Sequence, residues 1–393
     1  MKEFLEGSHA VAEIVRLCKP GLISAYPITP QTHIVEDLAQ MVSDGKLQAQ
    51  FVNVESEHSA ASVVLGGVAA GVRSYTATSS QGLFLMAEVV FNIAGMRLPL
   101  VMTCANRAIS APINIWNDQQ DSVSLRDAGW IQLYAEDIQE AVDLHLVGYR
   151  ISEDKSMMLP VMVCMDGFIL THGIETVDMP TQEQVDKFLP PYKALYKLDV
   201  DNPITMGPLV DPDGYMETRY AIQKTQEEAL ELIPKVMSEF KKVFGRDYNG
   251  LVEEYFTKDA ERVIVTMGSV CGTVKDVVDE LRAKGKKVGM LKVSCFRPFP
   301  VAAVTESLKN IPKVAVLDKS LSLGSYAPLA TEVRAAFCGK KKAPKIISSF
   351  IAGLGGRDIT RHSIKEIFRL LTAKELQGEF IDLKPELLKE SYE

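Results

Sequence analysis

The sequence predicts an α/β protein made of two mostly parallel α/β domains. Short apolar runs of strand length alternate with helical patterns from residue 8 to about 175, and the same alternation resumes from 258 to 393 after a proline-rich interval. The 393 residues also exceed what one domain of about 100–200 residues holds.

The elements follow in order. Ala10, Val11, Ile14 and Val15 recur at helical spacing, with Ser8 placed to cap the helix and Lys19-Pro20-Gly21 to stop it. The run LISAY reads as a strand. A helix over Ile34–Val42 ends at Asp44-Gly45, QFVNV follows as a strand, and an Ala/Gly/Val-rich helix starts at Ser59. SYTAT, a helix from Leu83 to Ala94 and LPLVMTC continue the alternation, which marks a parallel sheet. A loop covers Arg107 to Arg126. Helix Ile138–Ile151 and strand LPVMVCM then close the first domain near residue 175.

Residues 176–257 read as a proline-rich crossover arm and an amphipathic helix, Thr218–Phe244. The arm's Leu, Tyr, Val and Phe content is too high for a solvated linker, so it is expected to wrap over this chain or a neighbour. The second domain, 258–393, begins with RVIVTMG and continues through helix Val274–Lys284, KVGMLKV, KVAVLD and KIISSF.

Composition removes several function classes. The chain has 43 Lys and Arg against 51 Asp and Glu, a formal charge of −8, which disfavours a nucleic-acid partner because phosphate affinity comes mainly from cations. No unbroken apolar stretch suits a membrane span or signal peptide, so a cytoplasmic location is expected. Cys18, Cys104, Cys164, Cys271, Cys295 and Cys338 include no two-residue gap, which argues against disulfides, a metal or an iron-sulfur cluster held by this chain alone. No zinc spacing occurs among His9, His33, His58, His145, His172 and His362. Neither GxGxxG nor GxxxxGK[ST] follows a strand, and Gly353-Leu-Gly-Gly356 reads as a tight turn, so a nicotinamide dehydrogenase starts at a disadvantage. GxSxG is absent as well.

What remains is a set of polar turns after predicted strands of the first domain, where α/β sheets place their sites. These are Tyr26-Pro-Ile-Thr-Pro30, Glu55-Ser-Glu57-His58, Thr78-Ser-Ser-Gln-Gly82 and Asn106-Arg107. Each has an ordinary reading: Thr29 as a turn residue, Glu57 as a carboxylate at a helix N-terminus worth about 0.3–1 kcal/mol, Arg107 as a surface ion pair worth about 0–1 kcal/mol. Convergence of all four at one sheet edge is what favours a site.

AYPITP, VESEHSA, TATSSQGL, AGMRLPLVM, NRAISAPINIWNDQQDS, RDAGWIQLYAED, FRPFP and GLGGRD together resemble one family over nearly the whole chain. It is that of the alpha subunits of multisubunit 2-oxoacid:ferredoxin oxidoreductases, and within it of the pyruvate:ferredoxin oxidoreductases. The resemblance implies a thiamine diphosphate pyrimidine-binding-type first domain and a transketolase C-terminal-like second domain with an assembly role. It implies oxidative decarboxylation of pyruvate with coenzyme A to acetyl-CoA and CO2, reversibly reducing ferredoxin, by a complex with beta, gamma and delta-type subunits. Thiamine diphosphate would be shared with the beta subunit, and Mg2+ and [4Fe-4S] clusters would lie on partner subunits. This chain lacks the Gly-Asp-Gly plus Asn that would hold magnesium and diphosphate.

By the same resemblance Glu57 would face N1′ of the aminopyrimidine and share a proton with it. Glu55, two residues earlier and on the same strand face, is the alternative register. Arg107 would hold the substrate carboxylate through two parallel donors, and Thr29 would donate a hydroxyl hydrogen bond to the same substrate. Pro27 would border the cofactor ring. Trp116 and Trp130 are expected to pack in the core or a loop. Thr29, in place of the second cation expected for the doubly charged oxalate, resembles the pyruvate enzymes, and the stretch Ser110–Asn117 resembles them more than the branched-chain 2-oxoacid (2-oxoisovalerate) enzymes; a mainly structural subunit is the alternative from another class.

Overall fold

The computed structural model describes residues 2–371 and 374–390. The fold is α/β and falls into two compact units, one comprising residues 1–253 and 294–300, the other residues 254–293 and 301–393.

In the first unit strands β1 (Lys2–Glu6), β2 (Leu22–Ile23), β3 (Gln50–Phe51), β4 (Ser74–Thr78), β5 (Val101–Asn106), β6 (Ile131–Tyr134), β7 (Val161–Asp166) and β8 (Ile174–Asp178) alternate with helices. The helices are α1 (Gly7–Leu17), α2 (Thr32–Ser43), α3 (Glu57–Ala69), α4 (Ser80–Leu85), α5 (Ala87–Gly95), α6 (Gln120–Ser124), α7 (Ile138–Ser152), α8 (Gln182–Phe188) and α9 (Pro212–Phe244). The central sheet runs β6-β7-β5-β4-β2-β3, parallel throughout, and Cys295–Arg297 adds an antiparallel strand beside β6. That short strand belongs to the first unit, so the partition is not contiguous in sequence.

Burial on both faces explains the largely apolar character of β5 and β7; every residue of these strands and of β4, which carries Ser74, Thr76 and Thr78, is buried. Cys104 and Cys164 are register partners in the middle of β5 and β7. The arm is more ordered than its prolines suggest. It contains β8, which pairs antiparallel with β1, and α8, closed by a Thr181–Gln184 capping box. Phe188 and Phe240 meet edge to face at 5.6 Å, which seats α8 and α9 in the first unit's core. Buried Asp143 on α7 fixes the chain after α9, accepting from Arg246 Nε at 2.5 Å and Tyr248 Oη at 2.9 Å.

Two local expectations change. Ser8 does not cap α1: it lies inside the helix and donates to Thr171 O at 2.9 Å, while Glu6 occupies the cap position. The helix expected over Leu83–Ala94 is two helices that meet at Met86. Trp130 is buried and donates to Val90 O at 2.8 Å, whereas Trp116 is 53% exposed against Phe168.

The second unit carries a parallel sheet whose core order is Glu379–Phe380, Ile346–Ile351, Lys313–Asp318, Arg262–Thr266, Val288–Val293. Helices Val270–Ala283 and Arg361–Leu370 bury Val274, Val278, Ile364 and Ile367 in its core. GLGG forms the short turn expected, a single 3-10 segment at Leu354–Gly356. No helix among the described residues is long and apolar enough to cross a membrane.

Candidate active site

Parallel strands present all their carboxyl ends at one edge of a sheet, and in the first unit β2, β3, β4 and β5 are neighbours there. The turns that follow them are bonded to one another. Gln31, fully buried, donates from Nε2 to Tyr26 O at 2.9 Å and to Ala77 O at 3.1 Å, tying the YPITP turn to the end of β4. Pro30 packs against the end of β7: a Cβ at Gly167 would stand 2.6 Å from its Cγ and 2.5 Å from Asn106 O, so this close approach requires glycine.

Arg107 follows β5 and is only 6% exposed. Its Nη1 donates to Thr29 O at 2.9 Å and its Nε to Asn114 O at 3.1 Å. The structure therefore brings Arg107 and Thr29 together, through the Thr29 backbone, with the Thr29 side chain exposed. Two of the guanidinium's five N–H donors are spent on these carbonyls, leaving three for another acceptor. Burial lowers the Arg107 pKa, and the nearby Asp121 charge opposes that shift.

Glu57 is the first residue of α3 and is buried, 7% exposed. Ser56 caps the helix, its Oγ accepting from Ser59 N at 3.3 Å. β3 ends at Phe51, so Glu55 and Glu57 do not share a strand face. Glu55 is exposed and accepts from Ser59 Oγ, a bond that holds its carboxyl below the ordinary range. Glu57 points the other way. A Cβ at Gly82 would lie 2.7 Å from Glu57 Oε1 and 2.6 Å from Thr78 Oγ1, so the glycine at the start of α4 lets the carboxyl, the threonine and the helix backbone close on one another. Thr78 Oγ1, which faces the same point as the Glu57 carboxyl, and Gln81 Nε2 in the next turn are buried without hydrogen-bond partners. Unsatisfied groups of this kind are costly unless a ligand completes them.

Asp121 was not singled out by sequence. It lies on α6, fully buried, where its Oδ1 accepts from Asn106 Nδ2 and Ser122 N, both at 2.8 Å, and its Oδ2 from Ser80 N at 2.9 Å and Arg107 N at 3.0 Å. One carboxylate thus joins the turns after β4 and β5. Burial pushes its carboxyl up to about 6, against the pull of those four donors. It also holds Ser80, a non-glycine residue at φ 48°.

A family model described as the thiamine diphosphate-binding part of pyruvate flavodoxin/ferredoxin oxidoreductase matches residues 14–238, and a second, pyruvate:ferredoxin oxidoreductase core domain II, matches residues 260–364. The pyruvate synthase subunit PorA of Methanothermobacter thermautotrophicus is 51% identical over 97% of this chain and 98% of its own length. The chain belongs to the pyruvate:ferredoxin oxidoreductase family. Membership extends past one substrate: the ketoisovalerate oxidoreductase subunit VorA of Pyrococcus horikoshii is 45% identical over 93% of each chain. A solved 2-oxoglutarate:ferredoxin oxidoreductase from Magnetococcus marinus, with 2-oxoglutarate, coenzyme A and succinyl-CoA bound, shares the fold at a TM-score of 0.73 and 21% identity. The alignment covers 94% of this chain and 65% of that one.

For a member of the pyruvate:ferredoxin oxidoreductase family, the residues at this edge suit part of a thiamine diphosphate. Glu57, Thr78 and Gln81 offer a carboxyl, a hydroxyl and an amide whose bonding capacity the protein leaves open. Pro27 lies exposed in the turn after β2.

Proposed function

We propose that this chain is the alpha-type subunit of a pyruvate:ferredoxin oxidoreductase, converting pyruvate and coenzyme A to acetyl-CoA and CO2 while ferredoxin is reduced, in either direction. The observation that carries the reading is the set of bonded turns that holds Glu57, Thr29 and Arg107 at one sheet edge, in a chain whose whole length matches pyruvate synthase subunits. Thiamine diphosphate, when bound, supplies the carbanion chemistry of decarboxylation.

This chain's residues prepare that chemistry. Glu57, held out of water at a helix N-terminus, exchanges a proton with N1′ of the aminopyrimidine. Arg107, pinned by two carbonyls, directs its remaining donors to the pyruvate carboxylate, for which a planar fork is better matched than an ammonium. The Thr29 hydroxyl donates to the same substrate, and Pro27 lines the ring. Beta, gamma and delta-type subunits complete the enzyme, carrying the Mg2+ and diphosphate site and the [4Fe-4S] clusters that pass electrons to ferredoxin.

The test is to co-express the chain with its partner subunits and measure coenzyme A-dependent viologen reduction with pyruvate and with 2-oxoisovalerate. A higher kcat/KM for pyruvate supports the reading; a preference for 2-oxoisovalerate moves it to the branched-chain enzymes, and activity of the isolated chain overturns the shared site.

Two further outcomes test the geometry. In the assembled enzyme Gly82→Ala is expected to lower kcat by about 10²-fold, because the new methyl must displace the Glu57 carboxyl or the Thr78 hydroxyl. Thermal melting and bound thiamine diphosphate show whether that loss is local. Asp121→Asn turns an amide toward two backbone or side-chain N–H donors whichever way it lies, loosening Ser80 and Arg107 together. Steady-state assays are expected to show kcat/KM for pyruvate falling about 10–100-fold, mostly through KM.

A further inference from the structure

We infer that Glu6, His33 and His172 form a site for a divalent transition metal of the Zn2+ kind, separate from Glu57, Thr29 and Arg107. The three side chains come from different segments: the end of β1, the first turn of α2 and the stretch between β7 and β8. Pairing of β1 with β8, with Glu6 opposite Ile174, carries His172 to Glu6, and one ligand atom from each of the three residues lies within 4.8 Å of the others. His33 Nδ1 is already 2.7 Å from Glu6 Oε1. Ligand atoms around a tetrahedral Zn2+ with bonds of about 2.1 Å stand roughly 3.4 Å apart, so closure asks only small rotations of side chains at the surface.

The donor chemistry agrees. Two imidazoles and one carboxylate suit a borderline metal and leave a fourth position for water. Thr171 Oγ1 accepts from Phe168 N at 2.8 Å and sits 2.7 Å from His172 Nδ1. When it accepts the Nδ1 proton as well, the Nε2 lone pair is left for a metal, the orienting arrangement that ligating histidines require. Burial and the neighbouring His33 hold His172 below the ordinary range. A cavity of about 390 Å³ beside Glu6 and His33 adds Glu36 and Asp37, which draw in cations.

The position gives the metal something to hold. α2 begins two residues after Pro30, and the His172 ring lies 4.8 Å from Phe168, which in turn meets Trp116 on the loop that supplies Asn114 to Arg107.

The experiment titrates the full, metal-free chain with Co2+ and Zn2+. Expected are one equivalent of Co2+ with visible d–d bands, its displacement by Zn2+, and a higher melting temperature with Zn2+. Exposed Cys338 provides the control, since binding there would add a near-ultraviolet thiolate-to-cobalt band. His33→Gln and His172→Gln are expected to abolish the equivalent and the melting shift, and Thr171→Val to weaken binding about tenfold. Glu6→Gln, at a half-buried carboxylate, gives a further variant should either histidine change disturb folding. No saturable equivalent, an equivalent unchanged in these variants, or a thiolate band accounting for all of it would overturn the site.

Discussion

Glu57→Gln in the assembled complex is expected to lower the rate of pyruvate-dependent viologen reduction by about 10²–10⁴-fold, the range that a positioned proton donor or acceptor contributes. Gln has nearly the same shape and still hydrogen-bonds, so thiamine diphosphate binding and assembly should persist. Stability should also change little. As the first residue of α3, Glu57 gains only about 0.3–1 kcal/mol from the helix dipole, and that is what the neutral side chain gives up. Large loss of kcat with a small change in melting is therefore the signature of proton chemistry. Glu55→Gln is the matched control: its exposed carboxyl is engaged with Ser59, and surface changes of this kind stay within about 0.5 kcal/mol. If the Glu57 variant keeps near-normal activity, the subunit shapes the site without performing its chemistry, and if the Glu55 variant is the one that fails, the register has been assigned to the wrong carboxyl.

The alternation of strand and helix was legible because burial imposes it: β5 and β7 are covered on both faces and so read as largely apolar runs. The site turns were legible for a related reason, since polar residues directly after such strands have no place in the core. What sequence could not give is pairing across distance. Asp121 is 41 residues from Ser80 and 14 from Arg107. Nothing periodic announces that one aspartate in DQQDS will gather both turns. Gln31 is similar, separated by 46 residues from the carbonyl at the end of β4 that it anchors. The same limit explains Ser8, a good cap by type that spends its hydroxyl on Thr171 O, 163 residues away. Glu55 and Glu57 looked like strand neighbours because VNVES alternates. The strand stops at Phe51, and the helix that Ser56 caps turns the second carboxyl inward.

Arg107→Lys is expected to reduce kcat/KM for pyruvate roughly 10- to 150-fold, corresponding to about 1.5–3 kcal/mol for hydrogen bonds to a charged partner. The loss should appear chiefly in KM. Lysine keeps the charge, so simple attraction survives; what disappears is the fixed direction. The guanidinium is held by two different carbonyls, Thr29 O and Asn114 O, and still has donors to spare. An ammonium on a flexible stem cannot satisfy both carbonyls and present a parallel pair to a carboxylate. Arg107→Met should do more damage than Arg107→Lys, because it also leaves those carbonyls short of a donor and removes the cation. Initial-rate measurements over a range of pyruvate concentrations separate these cases. Equal effects of Lys and Met would mean that geometry dominates. A Lys variant close to wild type would mean that charge suffices and that the fork is not aimed at substrate. A pure kcat effect would place Arg107 in support of the turn after β2, acting through Thr29, with the carboxylate bound elsewhere.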